Sequence, residues 1–550
     1  MRDLHDLTIA AAAKLIAARE ISPVELTRSL LERIDALDPQ VRAFLTVTAD
    51  RALDDARSAG REIAAGRNRG PLHGIPIGLK DIYYTGGIRT TAHSKVASDF
   101  TPAFDATTTR KLAEAGAILM GKTATHEFAH GGPCFDLPWP PARNPWNLAH
   151  FTGGSSSGSA AAIAAGFVFA ALGTDTGGSI RKPASYCGVV GIKPTYGRVS
   201  RYGVIPNSFS LDHCGPLAWT VEDCAITLGA IAGYDANDPA SADVPVPDYR
   251  RALTGDIRGL RIGVLRHLWE EDVPIGAELA HATDAAIAVL EKLGARIETA
   301  RIARAQEYYD AKMIIGETEA FAIHQRDFQR RPQDYGAHYI GRVLIACLFQ
   351  SADYMRAQRQ RRRLVRAMQP LYERYDALLT PGLDAAPVLA PDRKGFWDNW
   401  QTPNIPTVFD VTGDPAIVVC SGFAKNGLPL GLQIAGRPFD EATVLRIADA
   451  YERATSWRAA RPRIVPGAPL PPVEPAPHAH SSQPQDPHTR VWVEALCKRA
   501  GLDLPEHLLL QLCEAAPYAQ AMVDRIPIGE WEDEPANVFN LTPVRSPIRS

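Results

Sequence analysis

The chain has 550 residues, of which 45% are hydrophobic and 22% charged, the proportions of an ordinary globular protein. Its net charge of −3 at pH 7 gives no electrostatic footprint for nucleic acid, and its eight cysteines lack the C-x-x-C spacing of zinc sites. Scattered cysteines favour a reducing, cytoplasmic setting. No basic region precedes an apolar stretch at the N-terminus, and the small-residue run 160–172 is shorter than a membrane span, so we expect a soluble protein that does not bind membranes.

The first clear element is a helix with a capping signal. Ser22 is followed by Pro23, and Glu25 lies three residues after the serine, which is the pattern of a capping box with proline at the first helical position. Apolar residues then recur at helical spacing and predict a helix over about 23–37. A strand over 43–48 and a helix over 50–65 are predicted to follow.

Between about residues 70 and 220 the pattern changes to short apolar runs broken by glycine and proline. Such runs are typical of buried strands, and their alternation with helices predicts an α/β core. The predicted strands are 75–80, 117–121, 167–173, 189–193, 260–265, 416–419 and 430–435. Helices are predicted over most of 255–380, including the arginine-rich stretch 356–366, and over 441–454.

A proline-rich segment, 466–487, marks the one clear boundary and is predicted to be an extended linker. It separates a catalytic domain, 1–465, from a small module, 488–550. Two short amphipathic helices are predicted in this module, over 490–500 and 505–516. A piece of this size cannot support its own core well, so we expect it to dock on the catalytic domain. A disordered C-terminal extension is the alternative.

Three motifs carry the most specific chemical information. They are GIPIGLKD at 74–81, TGGSSSGS at 152–159 and GTDTGGSIR at 173–181. Their joint occurrence in this order resembles the amidase signature family, whose Ser–cis-Ser–Lys triad falls here on Ser179, Ser155 and Lys80. Further similar segments lie at 191–200, 210–216, 378–382 and 427–439, so the resemblance covers about residues 5 to 465.

This resemblance implies a large mixed β-sheet flanked by helices on both faces. It also implies hydrolysis of the carbon–nitrogen bond of a small-molecule amide, or of a urea- or carbamate-like substrate. Within the family the chain looks most like the bacterial amidases related to the glutaminase subunit of tRNA-dependent amidotransferases and to carboxybiuret hydrolase. The 488–550 module is similar to the small helical subunits that wrap those enzymes, which implies a fused version of such a component.

The triad has a chemical rationale that can be stated from the residues. Serine is a poor nucleophile until a base takes its proton, and a lysine can serve when it is neutral. Lys80 lies in an apolar stretch, where burial lowers the pKa of an ammonium group, while the neighbouring Asp81 pulls the other way. Neutral Lys80 then deprotonates Ser155, Ser155 deprotonates Ser179, and Ser179 attacks the amide carbonyl.

The residues around the nucleophile have expected roles of their own. Thr176, Gly177 and Gly178 supply backbone N–H groups that can turn toward one point, as an oxyanion hole requires. The resemblance places Ala129 in the wall of the substrate site and implies a cis peptide bond between Gly154 and Ser155. Neither a dinucleotide fingerprint, a P-loop nor a metal-ligand spacing occurs, so no cofactor and no metal is expected.

Several structural interpretations stand beside these functional ones. The segment 154–158 also matches the G-x-S-x-G elbow with Ser156 as nucleophile, although no apolar strand precedes it. Asp175 and Arg181 are interpreted as a structural ion pair rather than as catalytic groups. Four histidines near the motifs are expected to pack or to line the pocket: His126, His130, His150 and His213. Three aromatic residues, Phe128, Phe135 and Trp139, either shape the pocket or pin their loop to the core.

Two other functions stay open on the sequence. One is a glutaminase component that feeds ammonia to a separate tRNA-binding partner through a channel. The other is a non-catalytic binding or scaffold protein, which has no need of Lys80, Ser155 and Ser179 together. Self-association is common in similar enzymes, so a homodimer is also open, but no interface can be assigned.

Overall fold

One mixed β-sheet organises the computed structural model, which describes residues 3–390, 402–473 and 486–528. The described strands follow the order β1-β3-β2-β4-β6-β5-β10-β11-β9-β7-β8. They are β1 Phe44–Val47, β2 Pro76–Lys80, β3 Ile118–Thr123, β4 Ala170–Asp175, β5 Val190–Lys193, β6 His213–Ala218, β7 Arg261–Val264, β8 Arg296–Thr299, β9 Ala377–Pro381, β10 Ala416–Phe423 and β11 Pro429–Gly436. The sheet is parallel from β3 through β2 to β4 and from β9 through β7 to β8, and antiparallel elsewhere.

Helices cover both faces of this sheet. Every residue of β2, β3, β4 and β6 is buried, although successive side chains point to opposite faces. The helices are α1 Ile9–Ala17, α2 Pro23–Val41, α3 Ala49–Ala64, α4 Thr107–Glu114, α5 Ser157–Ala164, α6 Arg181–Cys187, α7 Val221–Ile231, α8 Ala277–Lys292, α9 Ala305–Arg330, α10 Ala337–Val343, α11 Ser351–Arg374, α12 Thr407–Thr412, α13 Glu441–Ala454, α14 Pro487–Arg499 and α15 Glu506–Arg525. The expected α/β class with a large mixed sheet is therefore confirmed. None of the described helices is long and apolar enough to cross a membrane.

The capping signal acts as predicted. The Ser22 hydroxyl accepts the Glu25 N–H at 3.1 Å, and the Glu25 carboxylate accepts the Ser22 N–H at 2.8 Å. Helix α2 continues to Val41 instead of ending near 37, because Gln40 and Val41 extend its buried face. Three strands that the sequence did not reveal also belong to the sheet: β6, β8 and β9.

Helices α14 and α15 pack against the region that carries α9 and α10. The Arg525 guanidinium of α15 binds the Asp310 carboxylate of α9 at 2.6 and 2.7 Å. From the same helix α9, Gln329 donates to the Ala500 carbonyl at 2.8 Å. The apolar side of α15 is buried, including Leu508 and others that point to the same side: Leu512, Cys513, Ala516 and Met522. Residues of 488–528 thus contact α9, and the division of the chain into a domain and a module stays a prediction. The predicted linker is described over 466–473 and 486–487, and the part of the predicted module beyond residue 528 lies outside the described residues.

Candidate active site

Lys80 ends strand β2 and lies beneath the two serine-rich segments. Its Nζ donates to the Ser155 hydroxyl at 2.7 Å, to the Thr174 hydroxyl at 2.8 Å and to the Ser156 hydroxyl at 3.3 Å. Strand β2 is hydrogen-bonded to β4, which brings Lys80 next to Thr174 near the end of that strand. The lysine is fully buried, and all three of its acceptors are neutral hydroxyl groups.

Burial is the main cause of the lowered pKa of Lys80. It lowers the pKa of Lys80 to about 7, against the opposing influence of Asp212 and Asp175. The expectation that Asp81 supplies that opposing charge is wrong. Consecutive residues leave a strand in opposite directions, and Asp81 instead lies 3.5 Å from the buried Lys122 ammonium.

Ser179 and Ser155 are joined by one hydrogen bond. The Ser155 backbone N–H donates to the Ser179 hydroxyl oxygen at 3.2 Å, whereas no hydrogen bond joins the two hydroxyl groups in this part of the described chain. The expected cis bond between Gly154 and Ser155 is not found, since the described residues contain no cis peptide bond. A trans bond is favoured by about 3 kcal/mol outside X–Pro sequences, and the trans chain already brings Ser155 to Lys80.

The loop between β4 and α6 is held by one carboxylate. Asp175 accepts the N–H of Gly178 at 2.5 Å and that of Ile180 at 3.1 Å. Gly178 has φ +104°, and a Cβ there would lie 2.7 Å from the Lys182 side chain, so the turn needs glycine. Two N–H donors and one carboxylate thus fix the backbone on either side of Ser179.

Asp175 also forms the predicted ion pair. Its Oδ2 accepts from Arg181 Nε at 2.9 Å, and Arg181 Nη2 reaches Asp410 at 2.7 Å. Burial opposes ionisation of Asp175, but the Arg181 guanidinium outweighs it and lowers the pKa of this carboxyl far below its usual range. All three groups are fully buried, which supports the structural interpretation of this pair.

Three residues of the nucleophile loop line a cavity and have a backbone N–H group without an acceptor among the described residues: Thr176, Gly177 and Ser179. The Gly178 N–H, in contrast, is taken by Asp175 and does not face the cavity. The hydroxyl of Thr176 donates to Asp212 at 2.6 Å, which leaves its backbone N–H without a described acceptor, as the prediction for this residue requires.

This cavity has a volume of 740 Å³ and reaches Ser179 and the predicted wall residue Ala129. Ala129 has φ +60°, an uncommon backbone conformation for a residue with a side chain. Ser155 and Lys80 lie behind the wall, fully buried. Lys80 therefore contacts Ser155, Ser155 contacts Ser179, and only Ser179 of the three borders the cavity.

Ser156 does not occupy a nucleophile position. Its hydroxyl donates to the Thr174 carbonyl and accepts the Thr174 N–H, both at 3.2 Å, and it is fully buried. No strand precedes it in the described segment 141–155, as an elbow requires. The geometry thus disfavours the elbow alternative.

The histidines are engaged with the protein. Main-chain carbonyl groups bind the Nδ1 atoms of His126, His150 and His213, and His130 Nε2 lies 2.7 Å from the Glu317 carboxylate. His126 and His130 line the cavity. These are the packing and lining roles that the sequence predicted.

Of the three aromatic residues, one lines the cavity and two hold their segments against the rest of the protein. Phe135 lines the cavity. Phe128 packs in the core against His324 with ring centroids 4.2 Å apart. Trp139 attaches the loop 135–145 to His93: its carbonyl oxygen is 2.8 Å from His93 Nε2, and its ring contacts the imidazole ring.

Sequence reasoning missed the cationic side chains of the cavity. Lys182, Lys312 and Arg342 all line it. Lys182 directly follows Arg181, the last residue of the third motif, so the sequence could have indicated a cation next to the nucleophile loop. Lys312 and Arg342 lie on α9 and α10, where the sequence shows ordinary helical residues and no motif.

Known proteins resemble this chain over most of its length. A model of the family described as Amidase matches residues 25–445. The chain is 43% identical to the A-type subunit of the glutamyl-tRNA(Gln) amidotransferase of Chloroflexus aurantiacus over 492 residues, which are 84% of this chain and 100% of the relative. It is 42% identical to the protein of the same name from Geobacter metallireducens, with 83% of this chain and 98% of that protein covered.

Solved structures of enzymes share the fold. The peptide amidase of Stenotrophomonas maltophilia superposes with a TM-score of 0.72 at 34% identity, over 83% of this chain and 98% of that one. A structure described as a vestigial protein complex that reveals the origins of an s-triazine catabolic enzyme gives a TM-score of 0.77 at 32% identity, over 83% and 100%. The chain therefore belongs to the amidase family, the amidase signature enzymes, which are hydrolases of carbon–nitrogen bonds in amides.

Proposed function

We propose that this protein hydrolyses the amide bond of a small molecule, or a urea- or carbamate-like bond, through an acyl-enzyme on Ser179. The supporting observation is the order of the three side chains. Ser179 borders the cavity, Ser155 lies directly behind it, and Lys80 binds Ser155 at 2.7 Å in a fully buried position. A nucleophile, a relay hydroxyl and a base are thus arranged from the cavity inward.

The first step transfers a proton away from the nucleophile. Neutral Lys80 accepts the proton of Ser155, and Ser155 accepts that of Ser179 as its oxygen bonds to the amide carbon. In the free protein the Ser179 oxygen accepts the Ser155 N–H, so a rotation of the Ser179 side chain toward the Ser155 hydroxyl precedes attack. The pKa of about 7 leaves roughly half of Lys80 neutral at pH 7.

The second step returns that proton. The N–H groups of Gly177 and Ser179 stabilise the developing oxyanion, a contribution of about 3 kcal/mol for each well-placed donor. As the carbon–nitrogen bond breaks, the proton passes from Lys80 through Ser155 to the leaving nitrogen. Water then hydrolyses the ester on Ser179, and the acid and the ammonia or amine leave through the cavity.

A second candidate function is the glutaminase component of a tRNA-dependent amidotransferase. The match to such amidotransferase components over their full length favours it. This function requires a stable partner that uses the ammonia. Purification of the full chain from its source with no co-purifying protein, together with ammonia release by the isolated chain, would count against it. A cytoplasmic location is part of both proposals.

Substitution of each member of the arrangement tests the first proposal. We expect Ser179→Ala and Lys80→Met to lose about 10⁴-fold or more in ammonia release from an amide library, and Ser155→Ala to be severely impaired. Ser156→Ala is the matched comparison, because Ser156 also contacts Lys80 but is held by Thr174. Wild-type rates in folded Ser179→Ala, or a larger loss in Ser156→Ala, would refute the proposal.

A further inference from the structure

The cavity beside Ser179 has a marked charge imbalance. Lys182, Lys312 and Arg342 line it, and no aspartate or glutamate is among its described lining residues. Glu317, the carboxylate just behind this wall, already accepts from Arg342 at 2.9 Å and lies 2.7 Å from His130. The two lysine ammonium groups are therefore left with little compensation from the cavity wall.

Lys182 is the more weakly paired of the two. It makes no hydrogen bond or ion pair with any residue of the described chain, and its side chain is half-buried. Asp175 and Asp410 favour its charged form, but both carboxylates bind Arg181 directly. A buried or half-buried ammonium with no direct partner is unfavourable unless something binds it.

Lys312 lies directly over the nucleophile loop. A Cβ on Gly177 would be 3.4 Å from Lys312 Cε and 3.9 Å from its Nζ. Its nearest carboxylate oxygen, on Glu317, is 3.8 Å away and is shared with Arg342. Both lysines thus flank residues 177 and 178, immediately before the nucleophile.

From this arrangement we infer that the substrate is a short amide that carries a carboxylate and no ammonium group, and that Lys182 and Lys312 hold the carboxylate. The inference rests on the proposed amide hydrolysis and adds its substrate class. The amide must be short because the two lysine side chains lie against Gly177 and Gly178, which directly precede Ser179. An adjacent ammonium is disfavoured, since the described wall offers it three cationic side chains and no carboxylate.

This substrate class differs from that of a glutaminase. Glutamine and asparagine carry an α-ammonium beside their carboxylate, and the two lysines repel it. A monoamide of a dicarboxylic acid keeps the carboxylate and lacks the ammonium. We therefore expect such monoamides to be preferred over amino acids of the same length.

Matched ligands test this on the full chain carrying Ser179→Ala, which retains the cavity and does not consume the ligand. Succinamate, asparagine and butanamide differ only by the ammonium and by a methyl group in place of the carboxylate; glutaramate, glutamine and pentanamide form the longer set. Calorimetry should show about tenfold or tighter binding of the monoamide than of its two partners in at least one set. Lys182→Gln and Lys312→Gln, each in the Ser179→Ala chain, should lose that preference. Lys14→Gln, at an exposed position, should keep it.

The outcomes are decisive in both directions. Equal or tighter binding of the neutral amide or of the amino acid overturns the inference, and so does the absence of measurable binding in both sets. Retention of the preference in both lysine variants, with their folding confirmed by circular dichroism, also overturns it. Failure of the proposed hydrolysis shows separately, as wild-type turnover by Ser179→Ala, and leaves the binding comparison valid.

Discussion

Acid should inactivate this enzyme through Lys80 as the pH falls through about 7. The proposed mechanism uses the neutral amine, and burial lowers the pKa of Lys80 to about 7. At that pKa roughly nine tenths of the lysine is neutral at pH 8 and roughly one tenth at pH 6. We therefore expect kcat to fall about tenfold between pH 8 and pH 6.

The assay is the initial rate of ammonia release at saturating amide, measured across this range. Saturation matters because Lys182 and Lys312 have pKa values lowered by burial to about 8, so binding of an anionic amide should weaken above that pH. That loss appears in KM, whereas the Lys80 titration appears in kcat. The two effects are thus separable in one data set.

Thr174→Val is a matched perturbation of the same base. The Thr174 hydroxyl accepts from Lys80 at 2.8 Å, and an acceptor favours the ammonium form. Its removal should lower the pKa of Lys80 further and move the acid limb of kcat to lower pH. A kcat that is constant from pH 8 to pH 6, or a shift of the limb to higher pH in Thr174→Val, would refute the neutral-lysine mechanism.

Unfolding must be separated from this titration. The unfolded chain holds Lys80 at its usual pKa near 10.5, while the folded chain holds it near 7. Between these values the unfolded state binds more protons, so this lysine makes stability rise with pH across that window and lowers stability at pH 6 relative to pH 10. Circular dichroism at each pH provides the control.

Two further predictions concern the C-terminal module. Arg525→Ala should lower the free energy of unfolding by about 1–2 kcal/mol, because it leaves the buried Asp310 carboxylate without its guanidinium partner, and Asp310→Asn in the same chain should restore part of the loss. Denaturant titrations measure both, and an unchanged midpoint in Arg525→Ala would contradict the docking contact. Deletion of residues 466–550 should uncover the apolar surface under α15, lower the melting temperature and increase light scattering. A truncated chain as stable, soluble and active as the whole one would show that the module does not dock in solution.

The sequence could group the three residues of the proposed triad because each of them lies in a local motif. Lys80 is the last residue of an apolar strand, and the glycines around Ser155 and Ser179 permit turns that few other residues adopt. These constraints are local, so short stretches of sequence carry them. The same holds for the capping box at Ser22.

Long-range contacts explain what the sequence did not reveal. The charges that act on Lys80 come from Asp175 and Asp212, far along the chain, and not from its neighbour Asp81. Two of the three cationic residues of the cavity, Lys312 and Arg342, lie on α9 and α10, where no special spacing marks them. Strand β6 contains Gly215 and Pro216, which are unfavourable strand residues, yet its place between β4 and β5 overrides their propensity.

Labelling of the nucleophile tests the central claim most directly. The wild-type chain and Ser179→Ala are each treated with a serine-reactive fluorophosphonate, and the products are compared by intact-mass spectrometry and peptide mapping. We predict one adduct on the wild-type chain, mapped to Ser179, and none on the variant. An adduct on Ser156 or another serine, equal labelling of Ser179→Ala, or no labelling of the folded wild-type protein would contradict the proposed role of Ser179.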